Sequence, residues 1–423
     1  MLINKKVQAR VLERNIRYSY LDGMLYCVMM GATIPYLGLY ILRFNGPPEL
    51  VNLITAVQPI ITCIFTLLGT AYANSFQRKK VLLMPPSVAV RLLVLVIGFI
   101  PFLPAKTHAW AFFIMWGVLY IPWAYCGLTW SPMMCNIVPE ERRGRFFGTR
   151  NALTGFTTLL GTFLTGIALA KFDYLPAFTG IFTVSAICTL ISFYFLAQHI
   201  EPVDWEPGED KTKLRSDNSR MFELDWKGNL QPFTDPEFGR IFNLCCLAVF
   251  VFHIGYSMAI PLFTLRQIEQ LGFGNSTVST IATLSSLTAL IGSYVGGYFS
   301  DRWGFRYVLL CSTGLALIPP LIWAVTDQLF WLYSASMLWG FTGNAYMICF
   351  LYMVLRVSPF KNRSRFLGMN TVIGNLAGAL GPLLGMVLIK IPAIDIQGSL
   401  ICATVIMFAG VIISSVLVRK TSI

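Results

Sequence analysis

The feature that most constrains this chain is a succession of twelve apolar stretches, each about 20 residues or longer. A helix of that length crosses a hydrocarbon core of about 30 Å. Lipid offers no hydrogen-bonding partners, and a helix satisfies its backbone groups within one segment. Only 12% of the residues are charged, against about 25% in soluble domains. The sequence therefore predicts an all-α membrane protein with twelve transmembrane helices. The predicted spans are 18–42, 50–74, 82–103, 109–136, 146–170, 174–198, 239–265, 276–300, 307–326, 329–355, 366–390 and 399–418.

Lysine and arginine are distributed unevenly between alternate loops. Of the 32, 26 lie in the two termini and in every second loop, and one lies inside a span. The intervening loops hold five, which are Arg43, Lys106, Lys171, Arg266 and Lys390. Because basic loops stay on the inner side of a membrane, we expect both termini in the cytoplasm, in a plasma (inner) membrane. This asymmetry accounts for the net charge of +12 without a nucleic-acid partner.

Two sequence stretches occur twice at nearly constant spacing. GTAYANSFQRKKVLL at 69–83 matches GGYFSDRWGFRYVLL at 296–310, and PEERRGRFFGTRNALTG from Pro139 matches PFKNRSRFLGMNTVIGN from Pro359. The long polar segment 199–238 separates the two copies. We therefore predict an N-terminal six-helix bundle at 1–198, a cytoplasmic central loop at 199–238 and a C-terminal six-helix bundle at 239–423. Transporters are commonly built from such repeats, with the substrate site between them.

The later copy contains Gly297, Asp301, Arg302, Gly304 and Arg306, spaced as G-x-x-x-D-R-x-G-x-R. This stretch resembles the loop signature of the major facilitator superfamily (MFS), and the resemblance extends over the whole chain. It implies two pseudo-symmetric six-helix bundles that rock about a central cavity lined mainly by helices 1, 4, 7 and 10. It also implies secondary active transport of a small organic solute by alternating access.

In that family the signature acid and its basic neighbours latch the two halves together on the cytoplasmic side. The first copy here has Asn74 where the second has Asp301. By pseudo-symmetry Asp301 would lie near the start of the fifth helix, so we expect the charged latch mainly in the second half. The alternative is that Asp301 only caps a turn. The latch candidates are Asn74, Arg145, Arg150, Gly297, Asp301, Arg302, Gly304, Arg306, Arg363 and Arg365.

Among the ionisable side chains of the predicted spans we single out Asp22, Arg91 and His253. Such groups are expensive in lipid and often mark function. Arg91 faces the cavity or an interhelical partner, and Asp22 has either a structural role beside an arginine or a role in proton coupling. His253 is either a satisfied core histidine or a group that binds substrate or carries the coupling proton.

Aromatic side chains mark one face of the fourth predicted helix. Trp116, Tyr120, Trp123 and Trp130 share this face, with Gly127 in the remaining position. If it faces the cavity, such a wall would suit sugars, by ring stacking, or flat amphipathic molecules. If it faces lipid, it would be an interfacial anchor. The cavity candidates are Gln58, Arg91, Tyr120, Trp123, His253, Tyr256, Asn344 and Tyr346.

The leading functional prediction is a transporter that acts as a monomer in the lipid bilayer, with a small-molecule substrate and a coupling proton or ion. The alternatives are a lipid or amphiphile flippase or multidrug-type exporter of the same fold, and a membrane sensor that does not transport. We predict no enzyme, because the chain lacks HExxH, GxSxG and P-loop motifs. The ten cysteines form no CxxC pair, so we predict no metal site and no cofactor.

Overall fold

The computed structural model describes residues 2–75, 79–201, 226–356, 363–392 and 394–420. The described residues form helices and connecting turns, without strands. The α-helices are α1 Leu2–Thr33, α2 Leu37–Arg43, α3 Pro48–Ser75, α4 Lys79–Ile97, α5 His108–Ile137, α6 Glu140–Lys171, α7 Tyr174–Ala197, α8 Trp226–Thr234, α9 Gly239–Leu265, α10 Asn275–Phe299, α11 Phe305–Leu315, α12 Ile318–Val325, α13 Leu329–Arg356, α14 Arg363–Leu388 and α15 Ile396–Lys420.

The predicted spans coincide with these helices. Among the described residues, eleven helical segments are long and apolar enough to cross a membrane, and α13 covers the remaining predicted span, 329–355. Two spans consist of paired helices, because a short 3-10 turn at Ile34–Tyr36 separates α1 from α2 and a turn before Pro319 separates α11 from α12. Proline lacks the N–H that a continuing helix needs, which explains both breaks. The all-α transmembrane architecture predicted from the sequence is confirmed.

The chain forms two compact units. Unit 1 comprises Met1–Pro35 and Ile64–Leu224, and unit 2 comprises Tyr36–Cys63 and Asp225–Ile423. The segment Tyr36–Cys63, which contains α2 and the first part of α3, thus packs within unit 2. In that unit Arg43 Nε donates a hydrogen bond of 2.9 Å to Asn275 Oδ1 on α10.

Unit 1 is organised around α1, which packs against α6 and α7. Glycines allow the closest approach: a Cβ on Gly31 would collide with the carbonyl of Thr158, and one on Gly161 with the carbonyl of Val28. Small residues at both sides of a crossing let membrane helices pack backbone to backbone. The crossing fixes α1 relative to α6.

Unit 2 repeats this device. Its helix α9 packs against α14 and α15, and α10 packs against α13. Gly381 on α14 lies against the carbonyl of Ile254 on α9, the first helix of this half. In each half the first and fifth membrane helices therefore cross at glycine, as expected from the repeated sequence.

The ends of α4 and α7 are fastened to each other by Glu201. Its carboxylate accepts hydrogen bonds from the backbone N–H groups of Lys79 (3.3 Å) and Lys80 (3.0 Å) and from Asn136 Nδ2 (2.9 Å). A carboxylate beside a helix N-terminus satisfies free N–H groups and interacts favourably with the helix dipole. The contacts of Glu201 hold together two of the helices that form the cavity described below. Nearby, burial lowers the pKa of His199 below its ordinary value of 6.5.

Candidate substrate cavity

A cavity of about 260 Å³ lies within unit 1. Helices α1, α4, α5, α6 and α7 all contribute to its wall. The lining residues are Asp22, Tyr26, Cys27, Met30, Leu83, Ser87, Val90, Arg91, Trp123, Cys126, Gly127, Trp130, Arg150 and Leu196. Most of this wall is apolar or aromatic, which is typical of pockets for small organic ligands.

The polar side of the wall is built around Asp22 and Arg91, both of which are buried. Arg91 Nη2 lies 3.7 Å from Asp22 Oδ1. Ser192 bridges the two: its Oγ donates to Asp22 Oδ1 at 2.6 Å and accepts from Arg91 Nη2 at 3.0 Å. A buried charge is tolerated when it is both paired and hydrogen-bonded, and this arrangement meets both conditions.

Two further bonds fix the guanidinium of Arg91. Its Nε donates to the carbonyl of Thr189 on α7 at 2.7 Å, and its Nη1 donates to the carbonyl of Ser87 on α4 at 2.8 Å. Phe193 stacks near the same group, with Arg91 Cζ 5.2 Å from the ring centroid. Arg91 therefore joins α4 to α7 and to α1, so it has an interhelical partner and also lines the cavity.

Arg150 has a different environment. Its Cζ lies 3.9 Å from the centroid of the Trp130 ring, a close cation–π contact. The guanidinium lies beside Gly23, since a Cβ at that glycine would be 2.8 Å from Arg150 Nη2. Among the described residues, no hydrogen-bond acceptor reaches Arg150 Nε or Trp130 Nε1, although both atoms are buried.

The aromatic face of α5 divides along its length. Trp123 and Trp130 line the cavity, whereas Trp116 and Tyr120 are 1% exposed and pack among other rings. Trp116 lies 5.8 Å from Phe112, and Tyr120 lies 4.5 Å from Trp123, between ring centroids. Tyr120 is thus a supporting residue behind Trp123 rather than part of this wall.

Unit 2 holds a second polar and aromatic cluster. His253 Nδ1 and Tyr346 Oη are joined by a hydrogen bond of 2.9 Å. The ring of Tyr256 stacks on Trp339 with centroids 4.1 Å apart and planes inclined by 6°. The structure thus brings together three candidates predicted from the sequence: His253, Tyr256 and Tyr346.

The two other cavity candidates are Asn344 and Gln58. Asn344 is exposed and its Nδ2 donates to the carbonyl of Ala289 at 3.0 Å. Gln58 is half-buried on α3 within unit 2. Neither lines the cavity of unit 1.

The latch candidates fall into two groups. The side chains of Asn74, Arg145, Asp301, Arg363 and Arg365 lie outside the described residues. In the described part, the second signature forms a wide helical turn at Ser300–Gly304. Arg302 is exposed and bonds Tyr298 Oη at 3.0 Å.

The glycines of this second signature, and Arg306 after it, have distinct environments. Gly304 has φ 88°, a conformation that glycine adopts without steric cost. Gly297 faces open space, and Arg306 is half-buried.

Several residues in the cavity wall or bonded to it were not singled out by the sequence analysis. Ser192, Ser87 and Tyr26 are ordinary residues for a membrane helix, and only their position beside Asp22 and Arg91 gives them a role. One available signal was that buried charges in membranes pair with one another. Applied to Asp22 and Arg91, this rule predicts their contact.

Comparison with known proteins agrees with this architecture. The family model of the Major Facilitator Superfamily matches residues 22–243 and 245–422. The multidrug resistance protein MdtG of Proteus mirabilis is 20% identical over 371 residues, covering 85% of this chain and 86% of that protein. A Na(+), Li(+), K(+)/H(+) antiporter of Planococcus maritimus is 25% identical over 158 residues, 36% of this chain and 37% of that protein.

Solved structures share the fold. A point mutant of the nucleoside transporter NupG superposes with a TM-score of 0.69 at 12% identity, covering 96% of this chain and 99% of NupG. A bacterial metal transporter superposes with a TM-score of 0.63 at 10% identity, covering 96% and 98%. The helical architecture, the repeated halves and the match along nearly the whole sequence lead to one conclusion: the chain belongs to the Major Facilitator Superfamily and is a membrane transporter, not an enzyme.

Proposed function

We propose that this transporter binds a small amphipathic organic solute in the cavity of unit 1 and carries it by alternating access. The observation that carries the proposal is the lining, to which Tyr26, Trp123 and Trp130 contribute aromatic rings and in which few groups are polar. A volume of about 260 Å³ lies near the lower limit of ordinary ligand pockets, roughly 300 Å³. The solute is therefore small, of the size of one ring with a short chain.

The names of the full-length relatives support the same substrate class. Proteins named multidrug resistance protein MdtG match 85–88% of this chain. Among the alternatives predicted from the sequence, this name favours a multidrug-type exporter over a lipid flippase. It also favours flat, amphipathic solutes over sugars.

A thermal-stability assay on the purified full-length protein tests the site. We expect phenylbutanamide, a neutral amphiphile, to stabilise the protein and glucose to have no effect. A ligand at 100 times its dissociation constant adds about 2.7 kcal/mol. Trp123→Ala should abolish the stabilisation. Trp110 is exposed near the start of α5, so Trp110→Ala should retain it. Stabilisation by glucose alone, or equal loss in both variants, would contradict the proposal.

We further propose that a proton gradient drives transport through His253 and its partner Tyr346. The hydrogen bond of 2.9 Å between them gives a protonatable ring a defined acceptor or donor in the membrane interior. The second ionisable candidate, Asp22, is already bonded to Ser192 and lies 3.7 Å from Arg91. The cation/proton antiporter among the partial relatives is consistent with proton coupling.

Proteoliposomes separate coupling from binding. In His253→Gln we expect the accumulation of labelled phenylbutyrate driven by a pH gradient, measured as the excess over protein-free liposomes, to be lost, while exchange of internal for external phenylbutyrate continues. His108→Gln is the matched control, because His108 is the first residue of α5, where its Nε2 bonds the carbonyl of Leu103. Gradient-driven accumulation that survives His253→Gln would overturn the assignment.

Three expectations from the sequence complete the proposal. The distribution of basic residues supports cytoplasmic termini in an inner membrane, which a fluorescent protein fused at the C-terminus would report. One chain contains both halves, so a monomer suffices, and light scattering in detergent would measure the oligomeric state.

The charged latch at Asp301 is tested by Asp301→Asn, which should shift the balance between inward-open and outward-open states.

A further inference from the structure

The cavity of unit 1 contains an excess of positive charge. Among the described residues of its wall, one carboxylate, Asp22, faces two guanidinium groups, Arg91 and Arg150. Asp22 Oδ1 is already bonded to Ser192 and lies 3.7 Å from Arg91 Nη2. The pair formed by Asp22 and Arg91 is neutral, so the cavity holds one further cation.

The unused hydrogen-bonding capacity lies at that cation. Arg150 carries five N–H donors and no acceptor. In the described structure it lies over the face of Trp130 at 3.9 Å and beside Gly23, with Asp22 and Cys27 as electrostatic neighbours. The buried Nε of Arg150 and the buried Nε1 of Trp130 both lack an acceptor. A buried polar group without a partner is costly, and here two such donors occur on neighbouring side chains of one cavity.

We infer that Arg150 and Trp130 form the receptor for the anionic group of a small organic acid, which specifies the substrate class of the function proposed above and rests on it. A guanidinium that is held over an indole ring keeps its N–H donors available to a carboxylate, which it binds in a planar, two-bond geometry. The indole N–H supplies a further donor. The apolar body of the acid then lies against Trp123, Met30 and Val90, which line the same cavity.

The experiment compares three ligands that differ only in their end group: phenylbutyrate, phenylbutanamide and phenylbutylamine. Their affinities are measured by isothermal titration with the full-length protein in phosphatidylcholine nanodiscs. We expect phenylbutyrate to bind about tenfold or more tightly than the amide, because a hydrogen-bonded charge pair contributes more than a neutral bond. The amine should bind least.

Variants assign the selectivity to one side chain. In Arg150→Gln the preference for the anion should disappear while the amide keeps its affinity. Arg150→Lys, which retains the charge but not the planar fork, should keep a reduced preference and serves if the glutamine variant does not fold. The matched control is Arg142→Gln, an exposed arginine two turns earlier on α6, which should behave as the wild type.

The outcomes separate the two proposals. Equal affinity of the wild type for acid and amide would overturn the anion receptor and leave the amphiphile cavity intact. Failure of all three ligands to bind would overturn both. If phosphatidylglycerol stabilises the protein through Arg150 and phenylbutyrate does not bind, a lipid headgroup is the anion and the solute assignment is wrong.

Discussion

Replacing Arg91 by methionine should destabilise unit 1 strongly, because this guanidinium joins three helices. It donates to Thr189 O at 2.7 Å, to Ser87 O at 2.8 Å and to Ser192 Oγ at 3.0 Å. Three hydrogen bonds to a charged group give an upper limit of roughly 9 kcal/mol. The two carbonyl groups lie within helices, where they already accept a backbone bond, so they are not left without a partner. The larger part of the lost stability comes from Asp22, because its buried carboxylate no longer has a cationic partner. Breaking a buried pair in this way costs about 3–5 kcal/mol.

The free energy of unfolding in mixed micelles measures this cost. We expect Arg91→Met to lower it by about 3–5 kcal/mol, and the double variant Asp22→Asn/Arg91→Met to cost less than the two single changes together by about 0.5–3 kcal/mol. The control is Arg43→Gln, whose exposed bond to Asn275 should contribute about 0–1 kcal/mol. If Arg91→Met costs no more than Arg43→Gln, the reasoning is wrong. Strict additivity with Asp22→Asn would show instead that the two charges do not interact.

Three further predictions concern stability. Gly161→Ala should cost about 1–3 kcal/mol by forcing a Cβ into the carbonyl of Val28. The control Gly180→Ala, in open space on α7, should be neutral or slightly stabilising. Thermal unfolding of both variants tests the close crossing of α1 and α6. Glu201→Ala should cost about 0.5–2 kcal/mol through loss of the cap on α4, and recovery of most of that stability in Glu201→Gln would identify the carboxylate as an acceptor. Burial lowers the pKa of His199 below its ordinary value of 6.5, so the unfolded chain binds the proton of this residue more tightly than the folded protein does. The contribution of neutral His199 to stability is therefore complete above about pH 6.5 and falls as the pH drops below that value. His199→Gln should flatten this dependence in unfolding measured between about pH 5 and pH 8, and an unchanged slope would exclude His199 as its source.

The two arginines of the cavity differ in what their surroundings provide. Arg91 has a carboxylate, a hydroxyl and two carbonyl groups within reach, and each of its three nitrogens donates a hydrogen bond. Arg150 has the face of Trp130, which attracts a cation but accepts no in-plane hydrogen bond. For this reason we assign Arg91 to the scaffold and Arg150 to the ligand.

The aromatic residues of α5 show how far a periodicity argument reaches. Their spacing correctly places Trp116, Tyr120, Trp123 and Trp130 on one face, because the helical period is a local property of the backbone. It gives no information about what lies opposite that face at each level. Near one end Phe112 and its neighbours fill the space and enclose Trp116, and near the other end the helices separate and leave the cavity at Trp123 and Trp130.

The sequence by itself determined the membrane architecture, the helical spans, the repeat of the two halves and the identity of the few charges that lie inside the bilayer. These follow from the length of the apolar stretches and from the cost of burying polar groups in lipid, and both can be read along one dimension. Only the tertiary structure decided which of those charges meet. Asp22, Arg91 and Ser192 come from three helices that are distant in the sequence, and their contact depends on the rotation and depth of each helix. A single residue of offset turns a side chain by about 100°, so the difference between a satisfied arginine and one with unused donors was settled by packing.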